Sequence, residues 1–142
     1  MSILGVTASR NGLSAVQYEL AGYLLPQYDT LHHGDCKNGD ATLHDLGIML
    51  GLYVVVHPPL IHTWRAYCKG DESRPPQTYF RRNQAIVQES EVLGAFPDST
   101  EHLHSGTWAT VRMARYMAKP IVIIYPDGKL EYERWDDRIK VG

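Results

Sequence analysis

The sequence has few cysteines, no surplus of basic residues and no long apolar run, and each of these lacks excludes a class of protein. Only Cys36 and Cys68 are present, far apart and without metal-ligand spacing, so neither a disulfide framework nor a cysteine-based zinc module is expected. They read as reduced thiols of a cytoplasmic protein. Fourteen Lys and Arg stand against sixteen Asp and Glu, a net charge of −2. Nothing in that balance grips a phosphate backbone, which opposes a nucleic-acid partner. No apolar stretch approaches the ~20 residues of a membrane span. Met1-Ser2-Ile3-Leu4-Gly5 also lacks the basic flank and apolar run of a signal peptide, so no membrane partner is expected. Internal repeats and low-complexity tracts are missing too.

The 142 residues, 44% hydrophobic and 21% charged, suit one globular domain spanning 1–142. Short apolar runs alternate with helical patterns, as in βαβ units. Ser2–Thr7 reads as a strand ending in a Ser-Arg-Asn-Gly turn. A helix follows on Leu13, Val16, Gln17, Leu20 and Leu24, closed by Pro26. Tyr28–His33 and Leu52–His57 read as strands two and three, separated by a helix on Leu43, Leu46, Gly47 and Leu50. Pro58–Thr78 is one long irregular stretch, of a kind usually functional or mobile. A helix over Tyr79–Ser90, a strand over Glu91–Phe96, a helix over Gly106–Met117 and a strand over Ile121–Tyr125 complete the pattern. Residues 129–142, with Tyr132 and Trp135, form a final strand or a tail. The prediction is α/β: a Rossmann-like, doubly wound, mostly parallel sheet of five strands flanked by helices.

In such a sheet, ligands bind beyond the carboxyl ends of the strands, where strand order reverses. Four loops with special residues fall there: Gly5-Val6-Thr7, His33-Gly34-Asp35, His57-Pro58-Pro59 and Phe96-Pro97-Asp98. Ser105-Gly106-Thr107 opens a helix, whose free N–H groups and dipole favour an anion, though Ser105 or Thr107 also serves as a plain cap. Arg82 and Asn83 open another helix, with Asn83 on its apolar face. Asp40 and His44 share a helix face at i, i+4, and Cys36 and His33 precede them. The paired spacings of zinc sites are missing there, so no metal and no other cofactor is expected. The loop from Gly34 to Asp40 is read instead as wrapping a ribose or phosphate, steadied by Asp40 or His44. Trp64, Tyr67 and Tyr79 either stack on a base or pack beneath the long loop. His62, His102 and His104 read as solvated.

These motifs, in this order, resemble the SLOG superfamily. They are Gly5-Val6-Thr7, His33-Gly34-Asp35-Cys36-x-x-Gly39-Asp40-x-x-x-His44, Arg82-Asn83-x-x-Ile86-Val87, Phe96-Pro97 and Ser105-Gly106-Thr107. The superfamily includes the Lonely Guy phosphoribohydrolases, the DNA-processing A protein and nucleotide-sensor domains, and the resemblance covers residues 3–125. It implies a nucleotide or nucleotide-derived ligand, ADP-ribose-like for example, and a homodimer or higher homo-oligomer. Helices 79–90 and 106–117 would be the contact surfaces. The implied ligand-binding residues are Thr7, Gly34, Asp35, Asp40, His44, Arg82, Asn83, Pro97, Ser105, Gly106 and Thr107. Lonely Guy enzymes cleave an N-glycosidic bond with an arginine, matched by Arg82, and a glutamate after a Pro-Gly-Gly-x-Gly-Thr loop. The glutamate has no counterpart: Trp108-Ala109-Thr110 stand there, and residues 99–104 lengthen the loop. Hydrolysis needs a carboxylate, for which Asp40, Asp98 and Glu101 are the candidates. Binding alone and hydrolysis both stay open.

Overall fold

The computed structural model describes residues 2–135, and the expected tail beyond Trp135 lies outside them. Strands β1 (Ile3–Ala8), β2 (Thr30–His33), β3 (Tyr53–Val56), β4 (Glu72–Ser73), β5 (Val92–Phe96), β6 (Ile121–Ile124) and β7 (Leu130–Glu133) form one sheet. Its order is β4-β3-β2-β1-β5-β6-β7. All neighbours run parallel except β6 and β7, which are antiparallel. Helices α1 (Ala15–Leu24), α2 (Gly39–Met49), α3 (Tyr79–Glu89) and α4 (Gly106–Tyr116) make the crossovers.

Side-chain alternation along the strands builds two cores. Leu4 and Val6 of β1, Val92 and Phe96 of β5, and Val122 and Ile124 of β6 share one core with Leu24 of α1 and Leu43 and Leu46 of α2. Leu93, Ala95, Ile121 and Ile123 face the other way, against Val87 of α3 and Trp108, Val111 and Ala114 of α4. Burial of both faces explains why these strands read as unbroken apolar runs. Ser14 starts α1 with a capping box: its hydroxyl accepts the Gln17 N–H, and the Gln17 side chain accepts the Ser14 N–H. Among the described residues no helix is long and apolar enough to cross a membrane.

The sheet has seven strands where the apolar pattern predicts five. The five are β1, β2, β3, β5 and β6. The other two are edge strands, polar and set by backbone pairing rather than by apolar alternation. On either side of β4, within the long stretch 58–78, the Asp71 and Arg74 N–H groups reach the Val54 and Val56 carbonyls of β3 at 2.8 Å each. β7 folds back on β6 through the turn at Gly128, whose φ of +90° suits glycine. Charged edges of this kind discourage further strand pairing.

Candidate functional site

Strand order reverses between β1 and β5, and the loops leaving them separate to open a cleft of about 580 Å³. Asp98, just past β5, ties the two loops together. Its Oδ2 accepts the Ser9 hydroxyl at 3.0 Å and the Asn11 amide at 2.6 Å. The Asn11 bond, above all, holds the Asp98 carboxyl below its usual range. Pro97 does not line the cleft; its carbonyl accepts Gln17 Nε2 at 2.7 Å, which fixes the loop from beneath.

The start of α4 forms the opposite rim. Ser105 caps the helix by accepting the Trp108 N–H, and Gly106 and Thr107 line the cleft. The N–H groups of these first two helical residues have no intrahelical acceptor, and the positive end of the dipole points the same way. No atom lies within 4 Å of where a Cβ on Gly106 would stand, so the space beside it is open to a ligand. Trp108 itself is buried in the core, its Nε1 donating to the Ser99 carbonyl. The lengthened loop brings His102 and His104 to the cleft. Glu101 turns away into ion pairs with Arg115 at 2.9 Å and Arg112 at 3.4 Å, and the Arg115 bond holds its carboxyl low.

The loop after β2 makes the third wall. Arg82 reaches under it from α3, donating Nη1 to the Gly34 carbonyl and Nε to Asn83 Oδ1 at 2.6 Å. A Cβ on Gly34 would lie 2.7 Å from Arg82 Nη1 and 2.9 Å from its Cζ, so glycine here makes room for the guanidinium. Asp40, in the first turn of α2, accepts the Cys36 N–H on Oδ2, while its buried Oδ1 has no hydrogen-bond partner. Burial raises its pKa to about 6, against the opposing pull of Arg82. Asn38 stands at the N-cap position of α2, without a side-chain cap bond.

Aromatic rings and cations close the mouth. Arg10 Cζ sits 5.3 Å from the Trp64 ring centre and 5.6 Å from that of Tyr79, and Arg82 Cζ lies 5.3 Å from the same Tyr79 ring. Among the described residues the Arg10 guanidinium faces rings and no carboxylate. Phe80 completes this side, 64% exposed.

Of the residues singled out from sequence, Thr7, Gly34, Asp40, Arg82, Asn83, Asp98, Ser105, Gly106 and Thr107 meet at this cleft. Asp35, His44, Pro97 and Glu101 do not line it. Asp35 is fully buried and receives Arg65 Nε and the Cys68 N–H, each at 2.8 Å. His44 packs beneath the loop, 2.9 Å from His33 Nε2. Sequence reasoning passed over Ser9, Arg10 and Asn11, although the turn they form ends the strand at the reversal point. Two buried histidine pairs also emerge: His33 with His44, and His32 with His57 at 2.8 Å. Burial lowers the pKa of His33 well below the ordinary value and that of His57 to about 4, and lowers that of His32 as well.

No family model matches the sequence, and no curated protein is similar to it in sequence. Solved structures do share the fold. The molybdenum cofactor binding protein of the phototrophic bacterium Rippkaea orientalis superposes with a TM-score of 0.66 at 18% identity, covering 87% of this chain and 76% of its own. The molybdenum cofactor carrier protein of Chlamydomonas reinhardtii gives a TM-score of 0.63 at 22% identity, over 86% and 75%. At these identities the likeness establishes a common Rossmann-like architecture.

Proposed function

We propose that this protein binds a nucleotide or nucleotide-derived ligand, of the ADP-ribose kind, in the switch-point cleft and senses or sequesters it. The observation that carries the reading is Arg10. It is a cation without an ion-pair partner among the described residues, held over Trp64 and Tyr79 and lining the same cleft as the amino end of α4. Gly106 and Thr107 take a phosphate on backbone N–H groups, and Arg10 and Arg82 add positive charge from the walls. The base stacks on Trp64, and the loop from Gly34 to Asp40 surrounds the sugar. The neighbours of like fold are described as binding or carrying molybdenum cofactor, which makes that cofactor the competing ligand to test.

The test is thermal unfolding with a panel of nucleosides, nucleotides, dinucleotides and ADP-ribose, together with molybdenum cofactor. A ligand at a hundred times its Kd stabilises the fold by about 2.7 kcal/mol. Stabilisation by phosphorylated compounds but not by nucleosides supports the reading. No shift with any nucleotide removes it.

Asp40 favours a second reading, hydrolysis of the nucleotide's N-glycosidic bond. A buried carboxyl with a pKa of about 6 and an unpartnered oxygen has the character of a general acid or base. Chromatography of the denatured incubation for free base decides between the two. Base release that Asp40→Asn abolishes, with binding retained, makes the protein a glycosidase; full recovery of every compound leaves it a binder.

We further infer assembly as a homo-oligomer through α3 and α4, which carry Phe80 and Tyr116 at 64% and 92% exposure. Sedimentation as a strict monomer at working concentration contradicts this.

A further inference from the structure

β2 carries two successive histidines, and strand alternation sends them to opposite faces of the sheet. The two pairs they form differ chemically. His33 Nδ1 accepts the Asp35 N–H at 3.0 Å, so in the neutral ring the proton sits on Nε2 and is donated to His44 Nδ1. Cys68 lies close to this pair. A cation on His33 Nε2 would have to displace that proton and break the Asp35 bond, so this group is a closed hydrogen-bonded unit.

His32 has no such lock. Its Nδ1 lies 2.8 Å from His57 Nε2 and 3.8 Å from Glu89 Oε1, and the three atoms all fall within 4.8 Å of one another. A tetrahedral ion with ligand bonds near 2.0–2.1 Å needs donors about 3.3 Å apart. The two separations from His32 each lie about half an ångström from that value, and the one between His57 Nε2 and Glu89 Oε1, within 4.8 Å, closes by up to about 1.5 Å. The donors come from three different elements: β2, the residue after β3, and the last turn of α3. His32 and Glu89 line a second cavity of about 610 Å³, which shares no lining residue with the first cleft, and His57 is buried beside them. Asp29, Glu72, Arg74 and Glu89 line this cavity, a formal local charge of −2 before any ion enters. Arg74 donates Nη2 to Glu89 Oε1 at 2.7 Å and Nη1 to Glu72 Oε1 at 2.8 Å, which holds the Glu89 carboxylate toward His32. Arg74 Nε also donates to Glu89 Oε1, at 3.2 Å, so a cation at that oxygen takes the place of these two bonds.

We propose that His32 Nδ1, His57 Nε2 and Glu89 Oε1 form a site for one divalent transition-metal ion of the zinc class. Two imidazoles and one carboxylate suit such borderline ions, and three protein ligands leave a coordination position open toward the cavity. The spacings 32, 57 and 89 share no motif, so only the fold brings this set together.

Titration of the chelator-stripped protein with Co²⁺ alone, followed by Zn²⁺, tests the site. The expected result is one Co²⁺ per chain, with visible bands of a low-coordinate ion that Zn²⁺ abolishes. Glu89→Gln and His32→Ala should each weaken binding by about 100-fold or more, beyond the 10–100-fold lost with an outer partner. Glu89 is a third exposed and its amide can still accept from Arg74, so E89Q keeps the fold, as circular dichroism will verify. Cys68→Ser should leave binding unchanged. A folded wild type that does not saturate with Co²⁺, binding indifferent to E89Q and H32A, or binding lost in C68S overturns the proposal.

Discussion

Arg65 and Asp35, thirty residues apart, form an ion pair in which Arg65 Nε donates to Asp35 Oδ2 at 2.8 Å. Asp35 has no exposed surface, and its second oxygen accepts the Cys68 N–H. Around it, the Asp35 carbonyl accepts the Ala66 N–H and the Lys37 N–H reaches the Trp64 carbonyl, each at 2.8 Å. A positive φ of 59° at Asp35 turns the chain to make these contacts. The loop after β2 thus fastens the long segment 58–78 and sets Trp64 at the switch-point cleft.

Asp35→Ala should therefore cost about 3–5 kcal/mol, because it strands a largely buried guanidinium. Hydrogen exchange should rise across residues 60–70 before it rises in the sheet, and ligand affinity should fall although Asp35 does not line the cleft. Unchanged exchange in that segment would mean that the pair does not hold the loop.

Gly106→Asp separates ligand binding from folding. The space around Gly106 is open, and an acid in the first turn complements the helix dipole, so stability should stay within about 0.5 kcal/mol of wild type. The same carboxylate repels a phosphate from the α4 amino end. Calorimetric titration should show affinity for phosphorylated ligands lost while the unfolding midpoint stays that of wild type; affinity retained at that midpoint would contradict the phosphate role of the α4 amino end.

Gly34→Ala tests the Arg82 seat. The added methyl meets the guanidinium at under 3 Å, so Arg82 must leave Gly34. Affinity should fall at least tenfold, and Gly34→Ala combined with Arg82→Ala should be no worse than Arg82→Ala alone. Additive losses would show that the two residues act separately.

Asp40 sets a pH dependence of known sign. Its pKa is raised in the folded state, from about 3.8 to about 6, so its contribution to stability is full below about pH 3.8 and lost as pH rises through about 6. Asp40→Asn removes this loss. Relative to wild type, the variant should gain up to about 3 kcal/mol between pH 4 and pH 7, read from urea midpoints at each pH. A stability difference that does not vary with pH contradicts the assignment.

The central strands and all four helices were legible because burial on both faces leaves unbroken apolar runs such as Val54-Val55-Val56 and Ile121-Val122-Ile123-Ile124. Of the edge strands, Leu130–Glu133 falls within the stretch read as a final strand or a tail, whereas Glu72-Ser73 is selected by backbone pairing and leaves no apolar signal. Glycine and helix-start chemistry pointed to Gly34 and Gly106, which line the cleft. Asp35 sits one residue from Gly34 yet points into the protein, because its left-handed backbone turns the side chain toward Arg65. Pro97 marks the right loop, but it contributes a carbonyl to Gln17 rather than a surface to the cleft. The pairing of His32 with His57 spans twenty-five residues and follows from the parallel register of β2 and β3, which spacing along the chain does not encode.

The most direct test is a fluorescence and calorimetric titration of wild type and Trp64→Ala with ADP-ribose and AMP. Trp108 is buried in the core, whereas Trp64 is 37% exposed at the cleft mouth and should report a stacked base. The account predicts saturable quenching in wild type, and in Trp64→Ala an affinity about tenfold or more lower with the quenching gone. No saturable binding of any nucleotide, or equal affinity in the two proteins, would contradict it.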